Sequence, residues 1–265
     1  MPLPVPGPDR TAVVTGASSG IGAMIARELS RRGHHVTLVA RSADKLEALA
    51  TELVNADVIA LDLADRAGRA ALPERVAERG RIIDILVNNA GLSTLGAVSD
   101  SDPEAEINMI EVDVVAVADL CSRILPGMVQ RGRGAVLNVA STAAFQPLPG
   151  QAGYGASKAF VLSYTQSLAG ELRGTGVTAT TLCPGPVHTG FGERAGFSDE
   201  EAEAALPAVM WVTAEDVAKS AVDGMAKGRL VVIPGRVNRV AAALSQVTPR
   251  SLLVPILAKG HPGLK

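Results

Sequence analysis

The chain has 265 residues, 47% hydrophobic and 20% charged, with 25 lysines and arginines against 27 aspartates and glutamates. That composition excludes wholesale disorder, and the near-even charge excludes the basic footprint of a nucleic-acid protein. Two cysteines, Cys121 and Cys183, exclude a disulfide framework and point to a reduced, cytoplasmic compartment.

Residues 1–10, MPLPVPGPDR, hold four prolines and no apolar core of a signal peptide, so they read as a flexible leader. Short β-branched runs then recur at 11–15, 35–40, 57–61, 82–87, 134–140, 177–182 and 229–234. Longer stretches with helical spacing lie between them, including Ile21 to Arg32, Asp44 to Leu53 and Ala159 to Leu172. The strands are almost continuously apolar, as when helices cover both faces of a parallel sheet. The alternation predicts one α/β domain over 11–235, a doubly wound seven-stranded parallel sheet. The stretch 187–212 breaks the rhythm with glycines and an acidic run, and it reads as a substrate loop at a strand's carboxyl end. Residues 236–265 read as an amphipathic helical tail that packs on the domain or a subunit, with peripheral membrane contact as the alternative. No run of 18 apolar residues occurs, so no spanning helix is expected.

The first strand ends in Thr15-Gly16-Ala17-Ser18-Ser19-Gly20-Ile21-Gly22 and a helix follows. Gly16 permits a sharp turn, Gly20 lets backbone approach a pyrophosphate, and Gly22 lets helix and strand pack closely. The helix start adds free N–H groups for phosphate. After the second strand comes Arg41, with no acid at Ala40. A guanidinium there suits a 2′-phosphate and predicts NADP(H) over NAD(H). Asp62 follows the third strand, where it would meet an adenine amino group or cap the next helix.

Tyr154 and Lys158 stand four apart on one helical face. An ammonium beside a phenol favours the phenolate and makes it a usable acid or base. Ser141, at the end of the fifth strand, can hold a substrate oxygen.

In order along the chain, TGASSGIG at 15–22, Asp62-Leu63, NNAG at 88–91, Ser141, YGASK at 154–158 and PGPVHT at 184–189 resemble the short-chain dehydrogenase/reductase family over about residues 10–235. The resemblance implies a Rossmann fold, a nicotinamide cofactor and a homodimer or homotetramer. It implies Tyr154 as acid/base, Lys158 as its tuner and ribose ligand, and Ser141 as substrate orienter. It carries cofactor contacts to the 16–22 turn, Arg41, Asp62, Leu63, Asn89, Ala90, Pro184, Gly185, Val187 and Thr189. Asp113 departs from the pattern. The family usually has asparagine 28 residues before the serine, supporting a water that relays protons to the lysine. The main-chain carbonyl is expected to keep that role here; the alternatives are a carboxylate that couples directly to Lys158, adding negative charge toward it, and a residue that is only locally hydrogen-bonded.

The substrate pocket is expected from Phe145, Leu148, Gln151, His188, Phe191, Met210 and Trp211, mostly apolar, which points to a hydrophobic ketone or aldehyde and its alcohol. A catalytically weak NADP(H)-binding sensor or scaffold is the alternative. His34 and His35 read as surface residues, with no ligand spacing for a metal.

Overall fold

Strand-forming runs dominated by valine, isoleucine and threonine fold as β1(Arg10–Thr15), β2(His35–Ala40), β3(Ala56–Ala60), β4(Ile82–Asn88), β5(Gly134–Val139), β6(Val177–Leu182) and β7(Val231–Val232). All pair in parallel, in the order β3-β2-β1-β4-β5-β6-β7. The computed structural model describes residues 3–194, 206–260 and 262–264.

The pleat sends alternate side chains to opposite faces. Ala12, Val14, Val36, Leu38, Ile85 and Val87 face one layer. It contains α1(Gly20–Arg31), α2(Ala43–Glu52) and α8(Ala214–Ala226). Val13, Val39, Ile59, Ile83, Leu86 and Val136 face the other. That layer holds α3(Arg66–Ala77), α5(Ala116–Gln130) and α6(Ala152–Glu171). Helix α4(Pro103–Ile110) runs into α5 through a π-helical segment, Glu111–Val115. The short helix α7(Phe191–Arg194) follows β6; α9(Arg236–Val247) and α10(Arg250–Gly260) close the chain.

Strand order reverses between β1 and β4. Ligands of open α/β sheets bind in the crevice at the carboxyl ends beside such a reversal.

Two expectations need correction. Residues 3–10 are not a free leader: Pro4 is buried, Leu3 packs on the core, and Ile82 N donates to Asp9 O at 2.8 Å. Arg81 and Arg133 donate to the carbonyls of Pro8 and Val5. His34 and His35 are buried because they enter a central strand. His35 Nδ1 lies 2.9 Å from Thr11 Oγ1, and burial pushes both imidazoles below their usual pKa. Among the described residues no helix is long and apolar enough to cross a membrane.

Candidate active site

The glycine turn is built by the backbone and locked from β4. Gly16 and Gly20 have φ of +64° and +56°, a region that costs other residues strain. A Cβ on Gly22 would fall 2.4 Å from both Gly16 O and Asn89 Nδ2, so only glycine lets α1 pack here. Asn89 Nδ2 donates to the carbonyls of Thr15 and Gly16, at 3.0 and 3.3 Å. Thr15 Oγ1 accepts from the Asn89 and Ala90 amides at 3.0 and 3.1 Å and donates to Val87 O at 3.2 Å. Sequence reasoning missed Thr15 as this fastener; its only signal was a threonine before the first glycine. Ser19, the N-cap of α1, makes no side-chain cap bond, so the helix start with its partial positive charge is not closed by its own chain.

Arg41 is exposed and makes no hydrogen bond or ion pair with the described residues. Asp62 accepts from Ala64 N at 3.0 Å, while Asp65 caps α3. The cap alternative for Asp62 is thereby corrected. The Leu63 side chain lies in the core and its carbonyl takes Arg69. Thr189 lies over the turn: a Cβ on Gly20 would come 2.9 Å from its Cβ. Val187 packs on the layer containing α1. Pro184 O accepts from Thr142 N at 2.9 Å, and Gly185 lies against Asn238.

Lys158 is buried, with Nζ 2.8 Å from Asp113 Oδ2, 3.5 Å from Val139 O and 5.4 Å from the Tyr154 ring centroid. Asp113 is 1% exposed, and its Oδ1 accepts from Leu92 N at 2.7 Å. The π segment carries this carboxylate; such segments often mark functional sites. This contact fits the alternative in which the carboxylate couples directly to Lys158. A helix places the side chain independently of its carbonyl, but here placement brings it onto the lysine. Gly91 makes room: a Cβ there would lie 3.1 Å from Lys158 Nζ and 3.3 Å from Asp113 Oδ2.

Burial alone would lower the lysine pKa, but Asp113 and Tyr154 outweigh it and raise it, keeping the ammonium charged. Burial raises the Tyr154 phenol, with Lys158 and the Ser141 hydroxyl acting against it and Asp113 adding to it. Burial also raises the Asp113 carboxyl, opposed by Lys158 and the Leu92 amide. Ser141 begins a 3-10 turn, and its Oγ accepts from Ala143 N at 3.1 Å.

Residues 10–198 match the family described as short chain dehydrogenase. The chain belongs to that family. It is 36% identical to an uncharacterized oxidoreductase of Staphylococcus epidermidis, over 73% of this chain and 84% of that one. It is equally identical to the NADP-dependent 3-hydroxy acid dehydrogenase YdfG of Salmonella typhi, over 76% of this chain and 87% of that one. A solved short-chain dehydrogenase from Sphingobium yanoikuyae, in complex with NADPH, superposes with a TM-score of 0.78 at 33% identity, covering 91% of this chain and 97% of the other.

Around the site of this short chain dehydrogenase, Phe191 meets Tyr154 with ring centroids 5.8 Å apart, and His188 stacks on Trp211 at 4.1 Å. Gln151 Nε2 donates to Ser93 Oγ at 2.7 Å. Phe145 is buried among Val117, Ala140, Val161 and Leu162, a core position rather than an open wall. Leu148 lies instead with Pro147, Ala156 and Arg250 along a shallow groove of about 480 Å³. Part of the expected substrate loop, 195–205, lies outside the described residues. Cys121 and Cys183 are buried, and burial pushes both thiols up to about 12, which leaves them unreactive.

Proposed function

We propose that this dehydrogenase interconverts a hydrophobic ketone or aldehyde with its alcohol, using NADP(H). The observation that carries the reading is the buried Lys158 ammonium beneath the Tyr154 ring, with Ser141 against the phenol. The turn at 16–22 fits the cofactor's phosphates, because Gly20 leaves the space a Cβ would fill and the start of α1 has no side-chain cap. Arg41 would take the 2′-phosphate; it has no acid partner to compete. When bound, the nicotinamide supplies or accepts the hydride.

The chain's own groups handle the oxygen and its proton. In reduction, Ser141 and Tyr154 both donate hydrogen bonds to the substrate carbonyl oxygen. The Tyr154 proton passes to that oxygen as negative charge develops on it. The phenolate left behind is held by the Lys158 charge, and Asp113 keeps that charge in place. Oxidation runs the same proton in reverse. Phe191 beside Tyr154 and the stacked His188–Trp211 pair support an apolar substrate.

The test is NADPH oxidation measured with aliphatic, aromatic and steroid-like carbonyls. Turnover should rise with the apolar bulk of the substrate. NADPH binding without turnover on any of these would replace this reading with that of a cofactor-binding sensor.

A further inference from the structure

We propose that α9 and α10 form a surface that binds the face of an anionic lipid bilayer. The 42 residues after Asp223 contain seven lysines and arginines and no aspartate or glutamate, whereas the first 223 carry 18 basic and 27 acidic residues. The charge of the chain is thus segregated: an acidic body and a purely cationic end.

That end also exposes its apolar side chains in order. On α9, Asn238, Ala242 and Ser245 face inward. Val237, Val240, Leu244 and Val247 are 42–77% exposed. At 100° per residue these four fall within one arc of about 80°, nearly opposite the buried face, with Arg236 and Arg239 along one flank. On α10, Leu252 and Ile256 are 60% and 66% exposed and share a face with Lys259. Arg236, Arg239 and Lys259 are exposed and form no ion pair with the described residues. Arg250 differs: its guanidinium is spent on the carbonyls of Ser245 and Phe145, which moor α10 to the domain.

An exposed apolar stripe on helices whose only charges are cations is the pattern of a helix that lies in a lipid headgroup layer. A second copy fits it less well. A twofold contact through this face would bring together two helix faces whose charges are all positive, with no acid after Asp223 to pair them. The surface also adjoins the cleft. Asn238 Nδ2 donates to Met210 O at 2.9 Å, at the end of the substrate loop. Gly263 lies on Leu95, in the segment beyond Gly91.

Co-sedimentation of the full chain with phosphatidylglycerol vesicles, and with phosphatidylcholine vesicles, tests the proposal. Wild type should sediment with the first far more than the second, and less as salt rises. The double variant Arg236→Ala/Arg239→Ala should weaken binding at least about tenfold, since each basic residue near an anionic surface contributes about fivefold. Val240→Ser/Leu244→Ser should weaken it about tenfold or more through lost apolar burial. Both variants alter exposed side chains, so their melting temperatures and NADPH affinity should match wild type. Failure of wild type to sediment with phosphatidylglycerol overturns the proposal. So does an oligomer, seen without lipid by analytical ultracentrifugation, that Val240→Ser/Leu244→Ser dissociates, because a second copy would then cover the stripe.

Discussion

Asp113 Oδ2 lies 2.8 Å from Lys158 Nζ, both groups buried, so the carboxylate and the ammonium neutralise each other beneath Tyr154. Asp113 raises the pKa of both Lys158 and Tyr154. Asp113→Asn removes that push from both. The tyrosine then loses its proton, and the lysine its charge, at lower pH. Carbonyl reduction needs a protonated tyrosine and a charged lysine, so the basic limb of its pH–rate profile should move to lower pH. The profiles of kcat against pH for the two proteins decide it. An unmoved basic limb with near-normal kcat would mean that Asp113 only fills space.

Asp113→Ala should be worse for the fold than Asp113→Asn. Asparagine can still accept from the Leu92 amide; alanine leaves that donor and the Lys158 ammonium without their acceptor. Breaking a buried pair from one side costs about 3–5 kcal/mol. Urea unfolding of both variants should show the alanine variant the less stable, with Asp113→Asn between it and wild type.

Tyr154→Phe keeps the ring that meets Phe191 and removes the proton donor. Cofactor affinity should persist while kcat falls about 10²- to 10⁴-fold. NADPH fluorescence titration beside steady-state turnover separates the two effects.

Arg41→Ala should weaken NADPH binding about 10- to 100-fold, the worth of a charge-assisted hydrogen bond. NADH binding should hardly change. The ratio of the two dissociation constants is the measurement. Tighter NADH than NADPH binding in wild type would remove Arg41 from cofactor choice.

Gly22→Ala tests the locked turn. The added methyl would be driven against Gly16 O and the Asn89 amide. Backbone cannot swing aside as a flexible side chain can, so about 1–3 kcal/mol of overpacking is expected, together with weaker NADPH binding. Gly170→Ala, at an exposed position near the end of α6 with open space around it, is the control and should be neutral or slightly stabilising.

The parallel sheet, the glycine turn and the shared face of Tyr154 and Lys158 are legible in the letters alone. Seven apolar β-branched runs separated by helical stretches leave little choice but a parallel sheet covered on both faces, because such strands cannot face water. The glycine spacing and the Tyr154–Lys158 separation are local, so the turn and the shared helical face were legible before folding. What depends on distant partners is set by packing. Asp113 and Lys158 are 45 residues apart, and nothing local in a stretch of ordinary helical residues announces the π segment that aims Asp113 at the lysine. His34 and His35 looked like surface polar residues until β2 was seen to run beside β1. The prolines of the leader suggested disorder, yet Arg81 and Arg133, far along the chain, hold its carbonyls. Periodicity and turn chemistry act between near neighbours and can be read from letters; ion pairs and burial act across the fold, and only the packed molecule sets which groups meet.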